Sequence, residues 1–232
     1  MFHVEPPPAS PTTTLSVLRA GLSELDLEAG LAAPLASLCE LLAQWGAQMN
    51  LTGHRTPDAI AQRLVLDALA LAEALPVDAP ESLADLGSGA GFPGLPLAVR
   101  WPTCRITLVE ARERRHHFQR AAIRTLALSN VESRRGRLEA LAPEPHAVVV
   151  AQALAQADQA VDWMLRWVAP GGLVVLPQSA DGPAFAAPPG LEDARALTYR
   201  VPLTGLDRRV WVARRPVDAP AAPVVRTERL PR

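Results

Sequence analysis

Hydrophobic residues in the early part of the chain recur every three or four positions, which is the spacing of one face of an α-helix. The recurrence begins at residue 31 and predicts an amphipathic helix of about twenty residues, ending in a polar turn at Gly53. The apolar positions are Leu31, Leu35, Leu38, Leu42, Trp45 and Met49.

A second helix has a well-defined predicted start. Thr56 can serve as its N-cap, Pro57 suits its first helical position, and the apolar pattern continues to Pro76. Arg63 and Asp67 are four residues apart on this helix, so they share a face and can form an ion pair. Such a pair is either a solvated bridge of small energetic value or part of an active site, and the spacing leaves both open.

From Ser82 onward, short apolar runs alternate with helical patterns, as is typical of a parallel α/β sheet. Five strands are predicted at Ser82–Ala84, Arg105–Val109, Val131–Arg134, Ala147–Ala151 and Leu173–Leu176. Two more, Tyr199–Leu203 and Arg209–Ala213, are joined by a short turn without a helix. One of them should therefore run antiparallel at the sheet edge. The predicted fold class is α/β, a Rossmann-like seven-stranded sheet with one antiparallel edge strand and an N-terminal helical cap.

The link between the first strand and the next helix is rich in glycine over the segment Asp85–Gly94. Glycine lets the backbone turn sharply and approach a ligand closely. A strand, such a turn and a helix N-terminus together form a site for a nucleotide, with unpaired N–H groups facing the ligand. Glu110 closes the second strand, where a carboxylate can accept both ribose hydroxyls of an adenosine. These features together predict an adenosine-containing cofactor.

Two registers of the glycine segment suggest two cofactors. Residues 89–94 satisfy the dinucleotide fingerprint, which would favour NAD and an oxidoreductase, but Pro93 stands where the helix should already donate N–H groups. The other register resembles motif I of class I S-adenosylmethionine-dependent methyltransferases and uses Asp85, Gly87, Gly89 and Gly91. The absence of a helix between the final two predicted strands also favours a methyltransferase sheet. S-adenosyl-L-methionine is therefore the predicted cofactor, and NAD is the alternative.

Composition narrows the function classes. The 232 residues carry a net charge of −1, so any nucleic-acid surface must be a local patch. The two cysteines neither pair by spacing nor form a metal motif, and no apolar run has membrane-spanning length. The expectation is a cytoplasmic monomer without metal. The predicted divisions are a disordered segment at 1–14, the helical cap at 15–80, the Rossmann-like core at 81–215 and a flexible tail at 216–232.

All 23 basic residues are arginine, and they concentrate on and after the helix that follows Glu110. The concentrated positions are Arg112, Arg114, Arg115, Arg120, Arg124, Arg134, Arg135 and Arg137. The alternatives are a solvated helix face and a surface for RNA phosphates. The RNA interpretation predicts phosphate contacts through Arg114, Arg115 and Arg120.

Several motifs together resemble the small-subunit rRNA methyltransferase G (GidB) family over about residues 30–214. The matching segments are Asn50-Leu-Thr, Arg63-x-x-x-Asp67, Asp85–Ala98, Leu108-Val-Glu110, Arg114-Arg115 with Phe118, Asn130-Val131, Gly136–Glu139 and Arg208–Val212. The resemblance implies methyl transfer from S-adenosylmethionine to N7 of a guanine in the decoding region of 16S rRNA, with the small ribosomal subunit as the partner.

The same resemblance implies roles for individual residues. The residues implied to bind the cofactor are Asp85, Gly87, Gly89, Gly91, Phe92, Glu110, Leu138, Glu139 and Gln152. The residues implied to bind the substrate are Asn50, Arg63, Asp67, Arg114, Arg115 and Arg120. Gln152 is also the candidate catalytic residue, because its amide can donate a hydrogen bond to guanine O6.

The chain departs from the family pattern at several polar positions. Leu64 and Ala68 replace a histidine and a serine, Gln152 replaces an arginine, and Pro177-Gln178 replaces a Lys-Gly pair. These departures keep open an alternative function, that of a divergent paralogue that binds cofactor or RNA without methylating this guanine.

Overall fold

The computed structural model describes residues 12–152, 157–178, 185 and 188–218. The predicted disordered N-terminus and flexible tail therefore lie mostly outside the described residues. The first helix already begins at Thr12, so residues 12–14 belong to the helical part and not to the N-terminal segment that the sequence set apart.

The described chain begins with helices, and strands with interspersed helices follow from Ser82. The helices are α1 (Thr12–Glu24), α2 (Ala32–Gln48), α3 (Pro57–Ile60), α4 (Leu66–Ala74), α5 (Gly94–Arg100), α6 (Glu113–Thr125) and α7 (Ala157–Trp167). The strands are β1 (Ser82–Leu86), β2 (Arg105–Glu110), β3 (Val131–Arg135), β4 (His146–Ala151), β5 (Val168–Gln178), β6 (Glu192–Val201) and β7 (Leu206–Arg214). Within the described ranges, no helix is both long and apolar enough to cross a membrane.

The strands form one seven-stranded sheet in the order β3-β2-β1-β4-β5-β7-β6. The first five are parallel, and β7 pairs antiparallel with both β5 and β6. The predicted antiparallel strand is thus present, but its predicted place at the edge is wrong. Residues 210–213 of β7 are buried whereas most of β6 is exposed, so the hairpin turns the apolar strand inward and leaves the polar strand at the edge. Because the first five residues of β6 are all exposed, sequence periodicity missed its true start at Glu192.

The N-terminal helices share a hydrophobic core with the sheet. Leu35 and Leu42 of α2 are buried in the same cluster as Leu97 of α5. Trp45 packs edge-on against Phe118 of α6, with ring centroids 5.7 Å apart. This packing holds the C-terminal end of α2 beside the N-terminal end of α6, next to the carboxyl ends of the strands.

The second predicted helix begins as expected and is then interrupted. The hydroxyl of Thr56 accepts a hydrogen bond from the N–H of Ala59 at 3.3 Å, which confirms the N-cap. Ala61–Val65 then forms a π-helical turn between α3 and α4. Such turns are rare in proteins overall, and those that occur are often found at functional sites. Here the turn carries Arg63.

Candidate active site

The glycine loop between β1 and α5 is fixed from below by Asp85. This residue is completely buried, and its Oδ2 atom accepts a hydrogen bond from the N–H of Gly94 at 2.9 Å. Burial raises the pKa of Asp85 to about 7, against the effect of that hydrogen bond, and the nearby Glu110 charge raises it further. A Cβ atom at Gly94 would lie 2.2 Å from Leu108 Cδ2, so the loop can approach β2 only with glycine at this position.

Glu110 ties three elements together at the end of β2. Its Oε2 atom accepts from the N–H of Gly89 at 3.0 Å, and its Oε1 atom accepts from the N–H of Arg112 at 2.7 Å. The guanidinium of Arg115 lies 3.6 Å from Oε2. The carboxylate therefore joins the glycine loop, the end of β2 and the start of α6.

A cleft of about 380 Å³ opens beside Glu110, within the size range of small-molecule sites. It is lined by Gly87, Val109, Glu110, Ala111, Arg112, Arg115, Gly136, Arg137, Leu138, Glu139 and Trp163. Four residues predicted to bind the cofactor therefore share this cleft: Gly87, Glu110, Leu138 and Glu139. Asp85 lies beneath the loop, and Gly89 bonds to Glu110. Gly91, Phe92 and Gln152 are absent from its lining as the structure describes it.

A buried hydrogen-bond chain that the sequence did not predict supports the loop from the α6 side. The Nε2 atom of Gln119 donates to the carbonyl of Gly89 and to the hydroxyl of Ser88, both at 2.8 Å. The hydroxyl of Ser133 donates to Gln119 Oε1 at 2.6 Å and lies 2.8 Å from His116 Nδ1. Burial is the main cause that lowers the pKa of His116, and nearby positive charge lowers it further. The only sequence signal was an uncharged polar residue within a charged helix.

A second depression lies on the other side of the loop. Its lining residues are Arg63, Leu64, Asp67, Ala68, Leu71, Phe92, Pro93, Gln152 and Tyr199. It is small, with a volume of about 20 Å³. We call it the acceptor groove. It brings together four predicted site residues, Arg63, Asp67, Phe92 and Gln152, with the two departures Leu64 and Ala68.

The predicted ion pair between Arg63 and Asp67 is replaced by other contacts. Asp67 Oδ1 accepts a hydrogen bond from the hydroxyl of Tyr199 at 2.9 Å, and Oδ2 lies 3.4 Å from Nε of Arg208. Burial raises the pKa of Asp67, and the Tyr199 and Arg208 contacts oppose this. The π-helical turn alters the regular spacing between Arg63, which is exposed, and Asp67, which is buried. Asp67 therefore joins α4 to the β6–β7 hairpin.

A third cavity, of about 790 Å³, lies between the end of α2 and the start of α6 and is called the α2–α6 cavity below. It is lined by residues 46–51, Arg55 and residues 112–115. The predicted substrate residues Asn50, Arg114 and Arg115 therefore meet here. Arg120 lies further along α6 and is not among the residues that line the cavity, which divides the arginine cluster that the sequence treated as one surface.

Comparison with known proteins identifies the family. The sequence profile of GidB, rRNA small subunit methyltransferase G, matches residues 32–181. The chain belongs to this family. A methyltransferase G of Stenotrophomonas maltophilia strain R551-3 is 40% identical over 136 residues, covering 59% of this chain and 63% of the relative, which is less than two thirds of its length. Another, from Xanthomonas axonopodis pv. citri, is 39% identical over 163 residues, covering 70% and 72%.

Solved structures agree on the fold of this methyltransferase G family member. An O-methyltransferase from Bacillus cereus in complex with SAH has a TM-score of 0.53 at 20% identity, covering 77% of this chain and 91% of that one. Cofactor-bound Rv0187 from MTB gives 0.55 at 20% identity, covering 78% and 90%. The fold is that of class I methyltransferases, which confirms the predicted α/β fold class. The profile match and the relatives confirm the family resemblance.

In this family member, the cleft and the acceptor groove share one loop. Gly87 lines the cleft, and Phe92 of the same loop lines the groove. Group transfer requires the donor and acceptor sites to be adjacent, with the reacting atoms at near-attack distance. Both spaces are adjacent to the glycine loop.

Proposed function

We propose that this chain transfers a methyl group from S-adenosylmethionine to N7 of a guanine in small-subunit rRNA, the guanine at position 527 of 16S rRNA. The observation that carries the proposal is the shared glycine loop, which has the Glu110 cleft on one side and the acceptor groove on the other. Family membership supports the choice of rRNA as the methyl acceptor.

The cleft residues suit the adenosine half of the cofactor. A carboxylate offers about four lone-pair sites. Backbone N–H groups use two of them at Glu110, which leaves capacity for both ribose hydroxyls. Leu138 and Glu139 line the same cleft and would hold the adenine. Gly87 has a φ of +71°, so its backbone can face the ligand without a side chain in between.

The proposed reaction requires no general base. The N7 atom of guanine already has a free lone pair, which attacks the methyl carbon while the carbon–sulfur bond electrons return to sulfur. The enzyme must hold the base in line with the methyl group, and that base must be unpaired or extruded from its helix. The product ring is cationic. Gln152 lines the acceptor groove and can donate a neutral hydrogen bond to guanine O6.

One observation favours a second candidate, a paralogue that binds cofactor or RNA without methylating this guanine. The acceptor groove has about 20 Å³ of free space, too little for a purine base. The apolar side chains of Leu64 and Ala68 line it where the family pattern has polar ones. Under the enzyme hypothesis the groove must open when RNA binds. Under the paralogue hypothesis the groove keeps this small volume.

Calorimetric titration with S-adenosylmethionine, S-adenosylhomocysteine and NAD tests the choice of cofactor. We expect binding of both sulfur-containing ligands and none of NAD, because the helix after the loop begins only at Gly94, behind Pro93. Incubation of the protein with labelled S-adenosylmethionine and unmethylated 30S particles then tests transfer. Binding of NAD alone would support an oxidoreductase, and cofactor binding without transfer would support the paralogue.

Neutralising Arg114 and Arg115 is expected to weaken RNA binding and flatten its salt dependence. Both side chains line the α2–α6 cavity, and each phosphate contact to a single strand contributes about 0.7 to the slope of log affinity against log salt. The measurement is a salt titration of binding to a small-subunit rRNA fragment, with wild type compared to Arg114→Ala/Arg115→Ala. Arg120→Ala is the matched comparison, because Arg120 lies outside the cavity lining. An unchanged slope in the double variant would show that the cluster is a solvated helix face.

A further inference from the structure

The α2–α6 cavity has a strongly positive lining. Four arginines line it: Arg55, Arg112, Arg114 and Arg115. The one acidic residue of the lining is Glu113, whose Oε1 atom already lies 2.6 Å from Arg135 and 3.8 Å from His117. No carboxylate of the described chain lies within ion-pair distance of the guanidinium of Arg112 or Arg114. The positive charge of the cavity is therefore available to a ligand.

Arg55 contacts the C-terminal end of α2, where the partial negative charge of the helix would otherwise repel an anion. The last carbonyls of a helix carry partial negative charge and lack partners within the helix. The Nη1 atom of Arg55 donates to the carbonyl of Gly46 near the end of α2 at 2.5 Å, and Nη2 donates to Asn50 Oδ1 at 2.9 Å. These two bonds orient the guanidinium before a ligand arrives, which lowers the entropic cost of binding.

The cavity adjoins the cofactor cleft. Arg112 and Arg115 line both spaces, and Arg115 also contacts Glu110 inside the cleft. A strand that entered the active site along this path would cross the cavity first. Guanidinium groups match the geometry of phosphate oxygens, and contacts to phosphates position a strand without reading its sequence.

We infer that the α2–α6 cavity is a phosphate-binding site for the substrate RNA strand, beside the cofactor cleft. Arg55 and Arg112 bind the phosphodiester, and Asn50 is a positioning residue that orients Arg55. The inference rests on the proposed function for the identity of the polymer. Under this inference, Asn50 orients Arg55 and does not itself bind RNA. The phosphate contacts then include Arg55, beside the end of α2, as well as the arginines at the start of α6.

The test is fluorescence anisotropy of a labelled single-stranded oligoribonucleotide that lacks guanine, titrated over a range of salt concentrations with the full chain. Arg55→Ala is expected to lower the slope of log affinity against log salt by about 0.7, the contribution of one single-strand phosphate. Asn50→Ala is expected to lower affinity severalfold with the slope retained, because the charge remains but is no longer oriented. Arg55→Lys should restore the slope, and Arg124→Ala, an exposed arginine near the end of α6, should match wild type.

A structural role for Arg55 alone gives a different result. Loss of the bond to Gly46 would lower the melting temperature of Arg55→Ala while its salt slope stayed at the wild-type value, and that outcome would overturn the inference. Competition by inorganic phosphate or AMP distinguishes the ligand source. If either displaced the oligonucleotide at concentrations comparable to its own affinity, the site would serve a free nucleotide and the RNA assignment would fail. Absence of methyl transfer to 30S particles would count against the proposed function and leave these slopes as they are.

Discussion

Glu110→Ala is expected to weaken S-adenosylmethionine binding by about 100-fold or more. Under the proposed function, the substitution removes the two hydrogen bonds that Glu110 would accept from ribose. Each is worth roughly 1.5–3 kcal/mol when the acceptor is charged, and about 1.4 kcal/mol corresponds to a factor of ten. It also frees the N–H groups of Gly89 and Arg112, which the carboxylate holds at 3.0 and 2.7 Å. Both effects act on the cleft, and calorimetric titration measures their sum.

Two further variants make this expectation specific. Gly87→Val should also abolish tight binding, because the φ of +71° is a genuine outlier for a β-branched residue and the added side chain would occupy the cleft. Glu113→Ala is the matched control, since it removes a carboxylate close in sequence that does not line the cleft. If Glu110→Ala and Gly87→Val both bound cofactor as wild type does, the cofactor site would have to lie elsewhere.

The cofactor half of the site was predictable from the sequence because its signals are local. The glycines and Asp85 lie within one short segment, and Glu110 marks the end of the next strand. Residues that a strand–loop–helix unit brings together are close in sequence, so spacing alone places them. Leu138 and Glu139 were predicted from the family resemblance and not from spacing, and the cleft lining includes both.

The acceptor side was less predictable because its contacts are long-range. Asp67 bonds to Tyr199, 132 residues away, and no helical spacing could indicate that partner. The ion pair that the sequence allowed between Arg63 and Asp67 assumed a regular α-helix, and the π-helical turn at Ala61–Val65 changed the spacing. Burial of β7 in place of β6 likewise depends on the whole sheet and not on either strand alone.

The structure also gives three of the family departures a common location that the sequence could not. Leu64 and Ala68 come from the cap and Gln152 from the end of β4, yet all three line the acceptor groove with Phe92. Three scattered substitutions therefore become one local change, confined to the side of the loop opposite the cofactor cleft. Cofactor binding and methyl transfer are thus expected to respond separately to substitution.

Gln152→Arg is expected to raise the rate of methyl transfer to 30S particles by about ten- to a thousandfold, by analogy with the loss of a single oxyanion-hole donor. A guanidinium at this position can donate a charged hydrogen bond to guanine O6 where the amide donates a neutral one. Gln152 is exposed at the end of β4, so the longer side chain has space to extend from the surface. Single-turnover transfer with saturating labelled cofactor measures the chemical step.

The direction of change across a series at position 152 decides the interpretation. Gln152→Ala should transfer more slowly than wild type, and the affinity for S-adenosylmethionine should be the same in all three proteins because residue 152 does not line the cleft. A gain with arginine and a loss with alanine would place this side chain against the acceptor base. If arginine left the rate at or below the wild-type value while cofactor affinity was retained, Gln152 would have no part in the transfer. The small volume of the groove around Leu64 and Ala68 would then be the barrier, as the paralogue hypothesis requires.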